Sequence, residues 1–190
     1  MPDRHLVLIS GPVAAGKSST VIRLAELARA QGRLAAAIDM DETIEMVAGS
    51  NWSTVQKSDR IRACRATASF VHSLFESGME LVAIAGSTLS PYEWDALAVQ
   101  TDPPPKILYV LLRVSIEESV RRAQADPGRI HTRDPEYVTR LAAAIDWESI
   151  RQPDLVVQTD GMSLDEVTEA IASNLTPPLR RWGGGRGEGS

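Results

Sequence analysis

The sequence contains a single cysteine, Cys64, so no disulfide bond can form within the chain. One unpaired thiol is typical of proteins in a reducing compartment, which predicts a cytoplasmic protein. No run of about 18 apolar residues is present, and the first residues lack the apolar segment of a signal peptide. The sequence therefore predicts neither a membrane span nor export.

The chain also has fewer basic than acidic residues. The chain has 20 lysines and arginines against 25 aspartates and glutamates, which gives a formal net charge of −5. Domains that bind nucleic acids usually carry an excess of positive charge, so this balance argues against a nucleic-acid partner. Lysine occurs only at Lys17, Lys57 and Lys106. The 190 residues, of which 43% are hydrophobic, suit one globular domain with a sizeable core.

One glycine-rich motif lies near the start of the chain. Residues 11–18 match the phosphate-binding loop (Walker A) pattern G-x-x-x-x-G-K-S, between an apolar run at 6–9 and a helical pattern at about 17–31. In such a loop, backbone N–H groups and the positive end of the next helix surround phosphates. We expect Lys17 to reach the β- and γ-phosphates and the Ser18 hydroxyl to bind Mg²⁺. The predicted nucleotide site comprises Gly11, Pro12, Val13, Ala14, Ala15, Gly16, Lys17, Ser18 and Ser19.

Apolar runs and helical patterns alternate along the rest of the chain. We predict further strands at 34–38, 80–85, 106–112 and 155–158, and further helices at about 43–50, 58–77, 91 onward, 115–126, 134–147 and 163–174. This alternation predicts an α/β domain with a parallel sheet over residues 1–175, followed by a flexible Gly/Pro-rich tail over 176–190. Ligands bind beyond the carboxyl ends of such strands, so we expect the loops 10–18, 39–42 and 86–89 to meet at one cleft.

Two carboxylates follow the second predicted strand. Transfer of a phosphoryl group to a hydroxyl requires Mg²⁺ coordination and a carboxylate that aligns and deprotonates the acceptor. We expect Asp39 and Asp41 to supply these groups at the rim of the cleft and, near Mg²⁺ and Lys17, to be ionised. Which of the two is the base stays open at this point. The alternative is that one aspartate only caps the following helix.

Arginines are concentrated in two segments. Arg129 and Arg133 lie in a loop at about 127–134, which we predict to be a short lid that closes over phosphates and excludes water. The alternative is a run of solvated charges. The long helix at 58–77 carries Arg60, Arg62 and Arg65, of which Arg62 and Arg65 share one face. These arginines either bind an anionic acceptor or only solvate the helix, and we select Arg62 and Arg65 as the acceptor candidates.

Further candidates for the acceptor pocket come from the third-strand loop and from tryptophan. We expect Gly86 and Ser87 to border the acceptor at the end of that strand. Trp52 and Trp94 are candidates for the same pocket, although core packing is the commoner fate of a tryptophan. The three histidines show no spacing with Cys64 that is typical of a zinc site.

Taken together, these motifs resemble a known group over about residues 5–175. The shared features are the G-K-S loop, a strand ending in Asp-x-Asp, a small-residue loop after the third strand, an arginine pair before a lid, and the segment 155–161 before a final helix. They resemble the shikimate-kinase and gluconate-kinase-like small-molecule kinases, and are similar to chloramphenicol phosphotransferase and AAA-type ATP-binding kinases. This resemblance implies a three-layer P-loop NTPase fold with a five-stranded parallel sheet in the order 2-3-1-4-5.

The resemblance also implies ATP as the donor and roles for individual residues. By matching position, Asp39 would hold Mg²⁺ or act as the base, and Asp41 would contact the acceptor. Arg129 and Arg133, or Arg122 behind them, would close on the phosphates. The segment that borders the adenine would be Thr159, Asp160 and Gly161.

Two departures limit the choice of acceptor. Shikimate kinases have three glycines after the third strand, where this chain has Gly86-Ser87-Thr88, which argues against shikimate. The polynucleotide-kinase-like branch tends to have an acid where this chain has Ala85. We therefore predict an ATP- and Mg²⁺-dependent phosphotransferase that acts on a hydroxyl of a small molecule, such as an antibiotic or a metabolite. The alternatives are a polynucleotide 5′-hydroxyl kinase and a nucleotide-gated ATPase or switch without an acceptor.

Overall fold

The computed structural model describes residues 3–86, 90–98, 101–127, 131–148, 150–176 and 178–179. Its strands are β1 (His5–Ser10), β2 (Ala35–Asp39), β3 (Leu81–Ala85), β4 (Lys106–Arg113) and β5 (Leu155–Gln158). Its helices are α1 (Lys17–Ala30), α2 (Met40–Ala48), α3 (Lys57–Glu76), α4 (Pro91–Ala96), α5 (Ile116–Ala125), α6 (Pro135–Ala143) and α7 (Leu164–Ala172). The strands form one parallel sheet in the order β2-β3-β1-β4-β5. The predicted α/β class and the predicted strand order are confirmed.

The central strand β1 is buried on both faces. Its successive side chains point to opposite sides of the sheet, and helices cover both sides. Val7 and Ile9 of the central strand β1 pack in a core with α1 and α7, while Leu6 and Leu8 pack in a second core with α3. This explains why β1 is a continuous apolar run rather than an alternating one. The result is a three-layer arrangement, helices–sheet–helices, that holds the strand ends rigidly.

The carboxyl ends of the three strands β1, β2 and β3 lie side by side. Ile9 is in register with Ala85, and Ala85 is in register with Asp39. The Gly86 N–H also donates to the Ile9 carbonyl oxygen at 2.9 Å. The loop that follows β1 and the segment that follows β2 therefore start from one edge of the sheet.

Two helix boundaries differ from the sequence prediction. Helix α2 begins at Met40 rather than at about 43, because Asp39 caps it: its Oδ1 accepts the Asp41 N–H at 3.0 Å. Helix α6 ends at Ala143 rather than at about 147, and just beyond its end Asp146 Oδ1 accepts the Glu148 N–H in a turn. Among the helices of the described ranges, none is both long enough and apolar enough to cross a membrane.

The described start of the predicted tail packs onto the domain. Leu179 is buried in the core beside α1 and α7, and its N–H donates to the Ala172 carbonyl oxygen at 3.1 Å. The Thr176 carbonyl oxygen accepts a hydrogen bond from His5 Nε2 at 3.0 Å. The remainder of the tail, residues 180–190, lies outside the described residues, so its flexibility stays a prediction.

His5 is a buried histidine at the start of β1 and is 2% exposed. Its Nε2–H donates to the Thr176 carbonyl oxygen, so Nδ1 accepts from the Arg33 guanidinium at 3.1 Å. Burial, and then the charge of Arg33, lower the pKa of His5 below its ordinary 6.5. A proton on Nδ1 would face a donor that is itself charged.

We expect the free energy of unfolding to fall as the pH drops below about 6.5, where the unfolded chain protonates His5 and the folded chain resists it. Above that pH the site is neutral in both states and the stabilisation is complete. Thermal unfolding at about pH 7.5 and about pH 5.5 measures this loss. The loss should be smaller in His5→Gln, whereas His72→Gln, at an exposed position of α3, should keep the wild-type loss. An unchanged pH dependence in His5→Gln would show that another group is responsible.

Candidate active site

The phosphate-binding loop follows β1 directly and has the curled backbone that anion binding requires. Three of its residues have positive φ: Gly11 at 153°, Ala14 at 57° and Gly16 at 94°. Lys17 folds back over the loop, and its Nζ donates to the Pro12 carbonyl oxygen at 2.8 Å. The amine therefore lies beside the backbone amides that would surround phosphates.

The first glycine of the loop has no room for a side chain. A Cβ on Gly11 would lie 2.5 Å from the Leu112 carbonyl oxygen, in a conformation with φ of 153° that L-residues rarely adopt. Gly11→Ala is therefore expected to lower the free energy of unfolding by about 3 kcal/mol, from overpacking and backbone strain together. Gly32 also has positive φ, at 78°, but nothing lies within 4 Å of its Cβ position.

Gly32→Ala is accordingly the matched control, with strain alone and an expected cost of about 1 kcal/mol. Denaturant unfolding of both variants measures the difference. Equal losses at Gly11 and Gly32 would mean that the close approach of the loop to β4 is unimportant.

The loop residues behind the glycines anchor the site to neighbouring helices. Ala14 is buried against Ala123 of α5 and Val138 of α6. The Val13 carbonyl oxygen accepts a hydrogen bond from Ser119 Oγ at 2.7 Å. These contacts tie the loop to α5 and α6, whereas Ser18 and Ser19 at the start of α1 are exposed.

Two oxygen ligands suited to Mg²⁺ lie next to the loop. Ser18 Oγ donates to Asp39 Oδ2 at 2.5 Å, and Asp39 Oδ1 is held by the Asp41 N–H. Within the described ranges, no group of three histidine, cysteine or acidic side chains is arranged to hold a metal ion. Mg²⁺ needs no such group, because it is commonly bound by one or two protein oxygens, substrate phosphates and water. Ser18 and Asp39 therefore fit a Mg²⁺ ion that arrives with a nucleotide.

Asp41 differs from Asp39 in its surroundings. Asp41 lines the cleft with its surface exposed to solvent, and desolvation is the largest cause that raises its pKa above the ordinary 3.8. The negative charge of Asp39 raises the pKa further, whereas Lys17 and Arg60 oppose the rise. The ionisation of both aspartates beside Mg²⁺ and Lys17 stays a prediction. A carboxylate with a raised pKa is better suited to accept a proton.

A large open cavity of about 1,370 Å³ joins the loop to the acidic helix α2. Ligand pockets usually measure about 300 to 1,000 Å³, so this one has room for more than one small molecule. Its phosphate end is formed by Gly11, Pro12, Val13 and Lys17. The rest of the lining is Asp41, Glu45, Ser50, Asn51, Trp52, Ser53, Arg60, Ser90, Thr132, Asp134, Tyr137, Leu141, Ala144, Ile145, Asp146 and Ile150.

The arginine of α3 that lines the cavity is Arg60, whereas the acceptor candidates selected from the sequence were its neighbours Arg62 and Arg65. Arg62 is exposed and pairs with Asp59 at 2.7 Å, and neither Arg62 nor Arg65 belongs to the described cavity lining. The reason is helical phase: Arg60 lies three and four residues before the buried Ala63 and Cys64, on the inward side of α3. That spacing was visible in the sequence.

Arg60 is held by a buried acid from another helix. Its Nε donates to Glu93 Oε1 at 2.6 Å, and the Glu93 side chain is 7% exposed. The other oxygen of Glu93 accepts the Ser90 N–H at 2.7 Å, in the capping box of α4. The capping box was expected from the sequence, whereas its second bond to α3 was not.

The arginine pair of α5 is fixed by Glu118. Arg121 and Arg122 both donate to this carboxylate and lower its pKa to about 2. Arg122 also donates to the carbonyl oxygen of Thr159 at 2.6 Å and to its Oγ1 at 3.1 Å. Arg122 is therefore tied to the segment 159–161, as a neighbour of the predicted adenine border.

Asp160 connects that segment to Ser115, the residue before α5, through hydrogen bonds. Its carboxylate accepts the Ser115 N–H at 3.1 Å, the Ser115 hydroxyl and the Gln158 side-chain amide. The bond from the Ser115 side chain is the main cause that lowers the pKa of Asp160. Gly161 follows with φ of 72° and turns the chain toward α7. The contact of this segment with adenine stays a prediction.

Only part of the predicted lid lies within the described residues. Arg133 is exposed and donates to the Gln124 carbonyl oxygen at 3.0 Å, whereas its neighbours Thr132 and Asp134 line the cavity. Arg129 and Ser87 lie outside the described residues, so their roles stay predictions.

Trp52 lines the cavity, and Trp94 packs edge-on against Tyr109 in the core, with ring centroids 4.9 Å apart. Trp52 therefore stays a candidate for the acceptor pocket, whereas Trp94 belongs to the core.

Comparisons with known proteins bear on the fold. No protein-family model matches the chain, and no curated protein matches its sequence. Among solved structures, APS kinase of Mycobacterium tuberculosis in complex with AMPPNP and APS is 18% identical, covers 91% of this chain and 98% of its own, and superposes with a TM-score of 0.63.

Two further structures are similar. A gluconokinase from Sinorhizobium meliloti is 17% identical over 94% of this chain and 95% of its own, with a TM-score of 0.62. Shikimate kinase from Acinetobacter baumannii in complex with shikimate is 18% identical over 94% of this chain and 96% of its own, with a TM-score of 0.59. At this level of identity the likeness concerns the fold alone. The chain shares with these structures a P-loop NTPase fold with a five-stranded parallel sheet in the order β2-β3-β1-β4-β5, as the resemblance implied.

Proposed function

We propose that this protein is an ATP- and Mg²⁺-dependent phosphotransferase that moves the γ-phosphoryl group to a hydroxyl of a small molecule. One observation carries the proposal: Lys17 of the phosphate-binding loop and the carboxylate of Asp41 line the same cavity. A donor site and a candidate base thus share one space. The size of the cavity, about 1,370 Å³, leaves room for an acceptor beside a nucleotide.

Binding of the donor relies on the loop and its lysine. The backbone N–H groups of the curled loop and the Lys17 amine hold the triphosphate and compensate its charge. Mg²⁺, held by Ser18 and Asp39 together with the phosphates, supplies further charge neutralisation when bound. Most of the catalysis then comes from positioning and electrostatics, because the protein forms no covalent bond itself.

Transfer of the phosphoryl group needs a destination for the acceptor proton. In our proposal the acceptor hydroxyl oxygen forms a bond to the γ-phosphorus while the bond to the bridging oxygen of ATP breaks, and ADP leaves. Asp41 accepts the hydroxyl proton, which its raised pKa favours. Asp39 is the poorer candidate for this role, because both of its oxygens already accept hydrogen bonds from Ser18 and the Asp41 N–H.

The two alternatives from the sequence analysis receive less support. A polynucleotide acceptor would bring a chain of phosphates into a cavity lined by Asp41, Glu45, Asp134 and Asp146. A nucleotide switch needs no second compartment, whereas this cavity extends well beyond the loop. The single cysteine and the use of ATP favour the cytoplasm, which stays a prediction.

The experiment that tests this proposal is ADP release from ATP and Mg²⁺ in the presence of a panel of hydroxyl compounds. The panel contains polyols, sugars, sugar acids, amino sugars, nucleosides, hydroxylated antibiotics and a 5′-hydroxyl oligonucleotide. We expect one class of small molecule to stimulate ADP release and to yield a phosphorylated product. Stimulation by the oligonucleotide alone, or hydrolysis that no compound alters, would contradict the proposal.

A further inference from the structure

We propose that the acceptor of this site is a hydroxyl compound that carries a protonated amine, such as an amino sugar, an aminocyclitol or an amino alcohol. This inference rests on the proposed phosphotransfer, because it names the substrate class of the same cavity. It comes from the balance of charge in the cavity lining, from the pairing of the cations there, and from an aromatic ring fixed beside a carboxylate.

The cavity lining carries more negative than positive side chains. In the described part of the lining, the cations are Lys17 and Arg60, whereas the carboxylates are Asp41, Glu45, Asp134 and Asp146. Lys17 belongs to the phosphate end, where it serves the nucleotide. The compartment left for the acceptor therefore has acids as its main charged groups.

The one arginine in the described lining of that compartment already has an acidic partner. Arg60 pairs at 2.6 Å with Glu93, whose side chain is 7% exposed, so a carboxylate already offsets much of its positive charge. A buried carboxylate left without its partner would be costly, which keeps Arg60 bound to Glu93 rather than to an incoming anion. An acceptor with a carboxylate or phosphate would thus meet repulsion without a free cation in the described lining.

Two of these acids lie on the same helix and repel each other. Asp41 and Glu45 are four residues apart on α2, which brings like charges to one face of the helix. An ammonium group bound at Glu45 would offset the repulsion between the two carboxylates and form charge-assisted hydrogen bonds with Glu45, which leaves Asp41 for the acceptor hydroxyl. The acceptor hydroxyl would then lie near Asp41, toward the phosphate end.

An aromatic ring is fixed at the same place. Trp52 lines the cavity, and its indole N–H donates to Glu45 Oε1 at 3.0 Å. This bond couples the orientation of the ring to the carboxylate that we assign to the amine. Tryptophan faces attract cations through the ring quadrupole, and the attraction strengthens as the cation loses water. Glu45 and Trp52 together form a pocket for an ammonium group.

The first part of the test compares polyhydroxy compounds of similar size that carry an amine, no charge or a carboxylate. Three sets serve: serinol, glycerol and glycerate; glucosamine, glucose and glucuronate; and deoxystreptamine, inositol and quinate. Phosphorylated product is measured with wild-type protein, ATP and Mg²⁺. In at least one set, we expect kcat/KM for the ammonium member to exceed that of the neutral and anionic members by about 10-fold or more, the size of one charge-assisted hydrogen bond.

The second part removes the charge of Glu45 while keeping its hydrogen bond. Glu45→Gln retains an oxygen that accepts from the Trp52 indole, so the ring keeps its orientation. We expect KM for the ammonium acceptor to rise about 10-fold, with little change in KM for a neutral acceptor. Glu42→Gln makes the same change on α2 outside the described cavity lining and should alter KM less than about twofold.

The outcomes separate this inference from the proposed function. Preference for a neutral or anionic member in every set, or equal effects of Glu45→Gln and Glu42→Gln, would overturn the ammonium assignment. A phosphorylated product would in that case still support the phosphotransferase. Failure to phosphorylate any compound of the three sets or of the wider panel would contradict the phosphotransferase itself, and the ammonium assignment with it.

Discussion

Asp41→Asn is expected to lower kcat for phosphoryl transfer by about 10² to 10⁴-fold, the range that a positioned general base contributes. The amide has nearly the same shape as the carboxylate but cannot take the acceptor proton. Asp41 is the candidate because it lines the cavity and has a raised pKa, whereas Asp39 is engaged by Ser18 and caps α2. ATP affinity should change little, since Lys17 and the loop backbone remain.

Steady-state kinetics against pH is the measurement for this variant. The base must be ionised, so the rate of the wild-type protein should rise with pH through the pKa of Asp41, which lies above 3.8. This acid limb should be absent from the residual activity of Asp41→Asn. Asp95→Asn, an identical change at an exposed position of α4 outside the described cavity lining, is the control and should behave as wild type.

Asp39→Asn distinguishes the two aspartates. We expect it to raise the Mg²⁺ concentration needed for half-maximal activity, because it replaces the charged carboxylate that we propose as a Mg²⁺ ligand with a neutral amide. If Asp41→Asn and Asp39→Asn instead had the same effect on Mg²⁺ dependence and on the pH profile, the division of roles between them would be wrong.

Lys17→Ala is expected to lower kcat/KM by about 10³-fold. The lysine places a positive charge beside the amides of the loop, where charge develops on the transferred group, and loss of one such interaction typically costs about 10² to 10³-fold. Nucleotide affinity should fall as well, since the same charge is present in the ground state. Binding of a fluorescent ATP analogue and ADP release measure the two effects separately.

Lys57→Ala is the control for Lys17→Ala, because it removes the same side chain at the start of α3. Lys57 Nζ lies 3.4 Å from the centroid of the Tyr92 ring and is outside the described cavity lining. We expect wild-type affinity and rate for this control. Loss of no more than about twofold in Lys17→Ala would contradict the assignment of the loop as the phosphate site.

The features of the fold and of the site that could be predicted from the sequence depend on local patterns. The strands are apolar runs, the helices carry capping residues such as Ser115 and Ser163, and the phosphate-binding loop is a contiguous motif. Each of these is encoded within a few neighbouring residues, so the order of elements followed from the sequence. The order of strands in the sheet came from the resemblance of the combined motifs to the small-molecule kinases.

The parts that could not be predicted depend on residues far apart in the chain. Arg60 is fixed by Glu93, which is 33 residues away, and Arg122 by Thr159, which is 37 residues away. No local pattern predicts the partner of either arginine. The pairing depends on how α3 packs on α4 and on how α5 meets the end of β5. The choice of Arg62 rather than Arg60 arose because spacing within the helix was considered without its buried face.

The sign of the charge in the acceptor compartment is another such long-range property. The whole chain has a net charge of −5, which says nothing of where the acids gather. Only the packing of α6 on α5 and on the loop brings Asp134 and Asp146 to the cavity that Asp41 and Glu45 line. From the sequence, the arginines of α3 indicated an anionic acceptor or a solvated helix face, whereas we propose a cationic acceptor from the charge of the described lining.

Transfer of label from ATP carrying radioactive phosphorus in the γ position tests the central claim most directly. Wild-type protein is incubated with this ATP, Mg²⁺ and the acceptor that stimulates ADP release, and the products are separated. Our account predicts that the label appears as a phosphate ester of the acceptor, that it does so much more slowly with Asp41→Asn, and that little appears as inorganic phosphate. Label found only in inorganic phosphate, with or without the acceptor, would contradict a phosphotransferase and would indicate a nucleotide hydrolase.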